Sequence, residues 1–125
     1  MSLQRISISF FAGLVFSTAA LAHPTLVASI PAAESEGAAP ARIELTFDEK
    51  LAAQSSAARL VMTAMPGMND HPPMAVGVTV SAGENPHTML LTPRQPLPAG
   101  TYRVDWRAVS SDAHPVNGQV TFKVK

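Results

Sequence analysis

The sequence predicts an all-β fold, a small two-layered sandwich of about seven strands. Three observations carry that prediction. Beyond residue 22 no segment keeps a 3.6-residue apolar period over helical length. Short runs alternate apolar and polar side chains instead, and Pro, Gly, Asn and Ser break the chain between them, with eleven prolines in all. A first strand begins near Thr25. Arg42 to Phe47 alternates and sends Ile43, Leu45 and Phe47 to one face. Ala58–Met62, Met74–Val80 and Thr88–Thr92 follow as further strands, and only Ala52–Ala57 suits a helical turn. Leu97-Pro98-Ala99-Gly100 reads as a turn feeding Tyr102–Arg107, which points Tyr102, Val104 and Trp106 one way and charges the other. Tyr102 is placed for a corner-type hydrogen bond, and Val116–Val124 closes the chain with Val120 and Phe122 inward. Seven is the strand count of an immunoglobulin-like sandwich.

Residues 1–22 read as an export signal. Arg5 supplies a positive n-region, Ile6–Thr18 is mostly apolar, and Ala20-Leu21-Ala22 gives the small-x-small pattern that signal peptidase recognises. Ser7 and Ser9 interrupt a run already shorter than the roughly 20 residues a membrane span needs, so no membrane anchor is expected after cleavage. Residues 23–125 then form one domain, with a modest core. That domain has eight Lys/Arg against nine Asp/Glu, a balance that draws it to neither nucleic acid nor an anionic membrane. There is no cysteine, so stability comes from packing, and any soft metal ligand must be a thioether.

Three segments carry donor chemistry. Cleavage after Ala22 frees the α-amine of His23, which chelates a metal together with its own imidazole Nδ1. An α-amine has a pKa near 8, so a metal displaces its proton cheaply at neutral pH. Pro24 lacks an amide N–H, which closes the backbone-nitrogen route and leaves His23 to find ligands elsewhere in the fold. The bland alternative is a loose terminal histidine. In Ser111-Asp112-Ala113-His114-Pro115, Asp112 and His114 leave the same face of an extended chain, and Pro115 favours that conformation at His114. Three nitrogens and an oxygen make a tetragonal set suited to Cu(II). Here the alternative is a turn-capping Asp beside a solvated His. Glu49 is a weaker candidate ligand, more simply a solvated strand-end charge.

The third segment is Met62–Met74, which holds Met62, Met65, Met68 and Met74 along with His71. Pro66-Gly67 and Pro72-Pro73 exclude a helix, so these methionines do not form a helical core stripe. Thioether sulfur selects Cu(I) and survives an oxidising compartment unpaired. Met62 closes an alternating run and suits the core equally well. Met89 reads as core and His87 as surface.

The stretches Ala22-His23-Pro24, Val61–Met68, Tyr102–Asp112 and His114-Pro115 closely resemble the periplasmic copper-resistance CopC/PcoC family, and the likeness spans essentially all of residues 23–125. The resemblance implies a Greek-key β-barrel or sandwich, cupredoxin-like or immunoglobulin-like. It implies a Cu(II) site at one end, matching His23, Asp112 and His114 with Glu49 nearby. At the other end it implies a Cu(I) site matching Met62, Met65, Met68, His71 and Met74. Asn69-Asp70 sets His71 one residue further from Met68 than the family pattern has. The implied role is a periplasmic copper carrier, a monomer without catalysis, with an inner-membrane copper importer and a multicopper oxidase as partners. The rival is an oxidative polysaccharide-cleaving enzyme with an N-terminal histidine. Against it, an anionic Asp112 would fill the position oxygen needs, and Tyr102 and Trp106 read as core rather than as a sugar platform. A metal-free adhesion module leaves the methionines unexplained.

Overall fold

The computed structural model describes residues 23–69, 71–111 and 114–125; the expected export signal, residues 1–22, lies outside them. Among the described residues nine strands follow one another: β1 Leu26–Ile30, β2 Glu36–Gly37, β3 Ile43–Phe47, β4 Ala57–Ala64, β5 Met74–Val76, β6 Val78–Ala82, β7 Thr88–Pro93, β8 Gly100–Val109 and β9 Pro115–Val124. One sheet has the order β1-β3-β7-β6, the other β2-β9-β8-β4-β5. The described residues contain no helix, and Ala52–Ser56 makes one hydrogen-bonded turn, Ser56 N to Ala52 O at 2.9 Å. Both sheets keep open edges, so the architecture is a sandwich and not a closed barrel.

Two departures raise the expected seven strands to nine. The run Met74–Val80 divides at Gly77: β5 pairs with β4, while β6 crosses to the other sheet and pairs with β7. Strand β2, only two residues long, lies parallel to β9 and is too short to leave a periodic signal.

The core lies between the sheets and follows the alternation. Ile43, Leu45 and Phe47 face Tyr102, Val104, Trp106, Val120 and Phe122, all buried. Phe47 meets Trp106 edge-on at 5.0 Å, and Tyr102 stacks on Phe122 at 5.6 Å. The Tyr102 hydroxyl donates to the Pro98 carbonyl at 2.6 Å, the corner contact that its position suggested. Burial raises its phenol above the ordinary 10.0, so it remains a donor. Gly118 sits opposite Trp106, where a Cβ would come within 2.2 Å of the indole. Gly100 lets the Ala64 carbonyl approach to 2.6 Å of where a Cβ would stand.

This packing sets up two ends. Strand β8 runs ten residues, a span of about 30 Å. The start of β1, the end of β3 and the β8–β9 junction gather at one end. The β4–β5 connection and the start of β8 lie at the other.

Candidate metal centres at opposite poles

At the first pole, His23 is exposed but its neighbours are fixed. Pro24 is fully buried. Thr25 N donates to Asp48 Oδ1 at 2.7 Å, and Asp48 N donates back to the Thr25 carbonyl at 3.0 Å. His23 therefore hangs from a pinned backbone, not a frayed one. His114 approaches from the other end of the sequence, on the residue before β9. Its ring lies 6.0 Å from that of His23, centroid to centroid, with the planes 22° apart. That spacing is on the scale of one ion held by a nitrogen from each ring at about 2 Å.

The loop 48–56 braces this end. Ala52 N donates to the Val109 carbonyl at 2.7 Å, and the Ser56 hydroxyl accepts from Val109 N at 3.0 Å. Glu49 stands half-buried on that loop. His87 belongs to the same end and is half-buried, not fully on the surface: its carbonyl accepts from Phe47 N, and its own N–H donates to Asn85 Oδ1. Asp112 lies outside the described residues, and among those described no three His, Cys, Asp or Glu side chains cluster closely enough to hold a metal. Asp48 is the residue that sequence reasoning passed over. Its pairing with Thr25 spans 23 positions and leaves no local pattern to read.

At the second pole, Pro66 and Gly67 make a tight turn. Pro66 presets its first corner, and Gly67 takes the second at φ +79°, where other residues are strained. Met65 and Met68 consequently face each other across a reciprocal pair of backbone hydrogen bonds, at 3.2 and 2.9 Å, with both side chains on one side of the ribbon. Met68 is 52% exposed, while Met65 packs partly against the core. Met74 opens β5 directly opposite Met62 in the ladder, yet the two differ: Met74 is 51% exposed and Met62 only 6%, inside the core cluster.

His71 adds a nitrogen. Its Nδ1 lies 2.8 Å from the Pro72 carbonyl. A carbonyl only accepts, so Nδ1 carries the proton and Nε2 keeps the lone pair in the neutral ring. That Nε2 is buried and has no hydrogen-bond partner among the described residues. An orphaned acceptor of this kind costs about 1–3 kcal/mol, and a proton donor or a metal ion satisfies it. Metal-binding histidines commonly donate their second N–H to a carbonyl in the same way.

The first pole thus offers nitrogen donors, and the second a sulfur pair with a histidine three residues further along the chain. A family model described as the CopC domain matches residues 26–125. The chain belongs to the CopC family. It is 65% identical over 116 residues to Copper resistance protein C of Pseudomonas syringae pv. tomato, covering 93% of this chain and 91% of that protein. It is 55% identical over 113 residues to Copper resistance protein C of Escherichia coli, covering 90% and 88%. Among solved structures, selenomethionine PcoC, a copper resistance protein from Escherichia coli, superposes with a TM-score of 0.79 at 55% identity, covering 82% of this chain and all of that one.

Proposed function

We propose that this CopC-family protein is an exported copper carrier of a copper-resistance system, holding Cu(II) at the imidazole pole and Cu(I) at the thioether pole, without catalysis. One observation carries the reading above the rest: His23 and His114 come from opposite ends of the domain, and their rings stand 6.0 Å apart. The names of the relatives support copper as the cargo. After cleavage behind Ala22, the α-amine and imidazole of His23, the His114 imidazole and the Asp112 carboxylate make up the Cu(II) set, with Glu49 at its rim. At the other end, Met65, Met68, Met74 and the unprotonated Nε2 of His71 form the Cu(I) set. Met62 belongs to it by sequence position but lies within the core, where it supports the hairpin from beneath.

The oxidation states are sorted by ligand softness: nitrogen and oxygen favour Cu(II), thioether favours Cu(I). Exposed ligands suit a carrier. His23, His114, Met68 and Met74 all face solvent, so an acceptor's ligand can attack the bound ion before the carrier's own ligands let go. We assign the acceptors as an inner-membrane copper importer and a multicopper oxidase, with the carrier a periplasmic monomer. An oxidative polysaccharide-cleaving role is disfavoured, because Tyr102 and Trp106 are buried and provide no sugar platform.

Electron paramagnetic resonance of Cu(II)-titrated protein starting at His23, compared with protein carrying one extra residue ahead of it, tests the first pole. The native terminus should give a nitrogen-rich tetragonal spectrum and the extended one a rearranged or lost signal. Identical spectra would remove the amine from the site. Replacing Met65 and Met68 with Ala should abolish competition for Cu(I) and leave the Cu(II) spectrum intact.

A further inference from the structure

Among the described methionines, two are open to solvent, two are core and Met65 lies between them. Met68 and Met74 are 52% and 51% exposed, whereas Met62 and Met89 are 6% and 3%. The exposed pair also stands at the margin of the fold. Met68 ends a two-residue turn, and Met74 opens β5, a three-residue strand at the edge of its sheet. Resting on the Cu(I) assignment above, we propose that Met68 and Met74 are reversible oxidation sites whose modification disarms the sulfur pole and spares the imidazole pole.

The chemistry needs only a peroxide. A thioether sulfur attacks one oxygen of hydrogen peroxide, the O–O bond breaks, an S–O bond forms and water leaves. Sulfur loses two electrons and the peroxide gains them. The sulfoxide is polar and chiral and presents oxygen in place of the soft sulfur lone pairs, so the basis for selecting Cu(I) is gone. Methionine sulfoxide reductases return it to thioether with electrons from a dithiol.

Placement makes this a switch and not general damage. An S–O dipole on Met62 or Met89 would enter the hydrophobic core without a partner and destabilise the sandwich. On Met68 and Met74 it enters water, and the core does not change. Both sites stay within a reductase's reach because they are exposed in the folded protein. The imidazole pole uses nitrogen and oxygen donors and sits the length of β8 away. Oxidant therefore turns a carrier of two copper states into a carrier of Cu(II) alone.

The test treats metal-free protein, residues 23–125, with graded hydrogen peroxide and maps sulfoxides by peptide mass spectrometry. Cu(I) competition and the Cu(II) spectrum are then measured before oxidation, after it, and after treatment with the reductases. The expected result is oxidation at Met68 and Met74 before Met65, and well before Met62 and Met89. Cu(I) binding should be lost and then restored, with an unchanged Cu(II) spectrum. Oxidation of Met62 or Met89 as fast as Met68 overturns the proposal, as does full Cu(I) binding by protein oxidised at both exposed sites. If unoxidised protein binds no Cu(I), the Cu(I) assignment itself falls and the switch with it. Met68→Leu/Met74→Leu protein supplies the control: it should lose Cu(I) binding without any peroxide while keeping the parent's Cu(II) spectrum, and full Cu(I) binding by this variant overturns the proposal.

Discussion

The two poles are built in opposite ways. The imidazole pole joins His23, near the start of the domain, to His114, near its end, and pins the first through Asp48. The contacts that bring it together, His23 to His114 and Thr25 to Asp48, are long-range, so the pole exists only once both sheets are closed. The thioether pole comes from thirteen consecutive residues and is organised by one local turn at Pro66-Gly67. A site assembled by the whole fold reports on the fold. A site written into one loop does not.

The strongest way to break that contrast is to damage the core near the imidazole end. Gly118→Leu drives a side chain into Trp106, which already packs edge-on against Phe47, and should cost about 3 kcal/mol. Thermal melts followed with each ion should lose the Cu(II) spectrum at the lowered melting point while Cu(I) competition outlasts it. Simultaneous loss of both would show that the sulfur pole also needs the closed sandwich.

Tyr102→Phe probes the opposite half. It leaves the Pro98 carbonyl without its donor, at a cost of about 2 kcal/mol. A pH signature comes with it. Because burial raises the Tyr102 phenol above 10.0, the unfolded chain releases that proton first as pH climbs. Stability from this group is intact below pH 10 and drains away above it. Urea midpoints measured from about pH 8 to about pH 11 should fall more steeply for the parent than for the variant.

Smaller changes sharpen the comparison without unfolding anything. Gly67→Ala strains the positive-φ corner by about 1 kcal/mol and should weaken Cu(I) binding alone. Asp48→Ala removes the carboxylate that accepts from Thr25 N, also about 1 kcal/mol, and should broaden or weaken the Cu(II) signal alone. If either variant altered the far pole, the two ends would be coupled through the sandwich.

Much of the fold was legible because period-two alternation is a local signal. Ile43, Leu45 and Phe47 are buried as their spacing requires, and so are Tyr102, Val104, Trp106, Val120 and Phe122. The break at Gly77 was not legible, since Met74–Val80 alternates without interruption and only the positions of β4 and β7 decide which sheet each half joins. The donors were likewise visible as residue types, and proximity was not. His23 and His114 were named from chain chemistry; their 6.0 Å approach and the role of Asp48 are products of tertiary closure. Met62 was readable as core or ligand, and its partner in the ladder, Met74, shows why pattern alone could not decide. The two residues face each other and differ eightfold in exposure.

The crossing at Gly77 has a mechanical consequence. One residue joins a strand of one layer to a strand of the other, leaving no slack for the layers to shear by even a single pleat. Prying the layers apart at that seam must unzip either the ladder to β4 or the ladder to β7. The sandwich is stitched at its rim, and it should come undone as one piece.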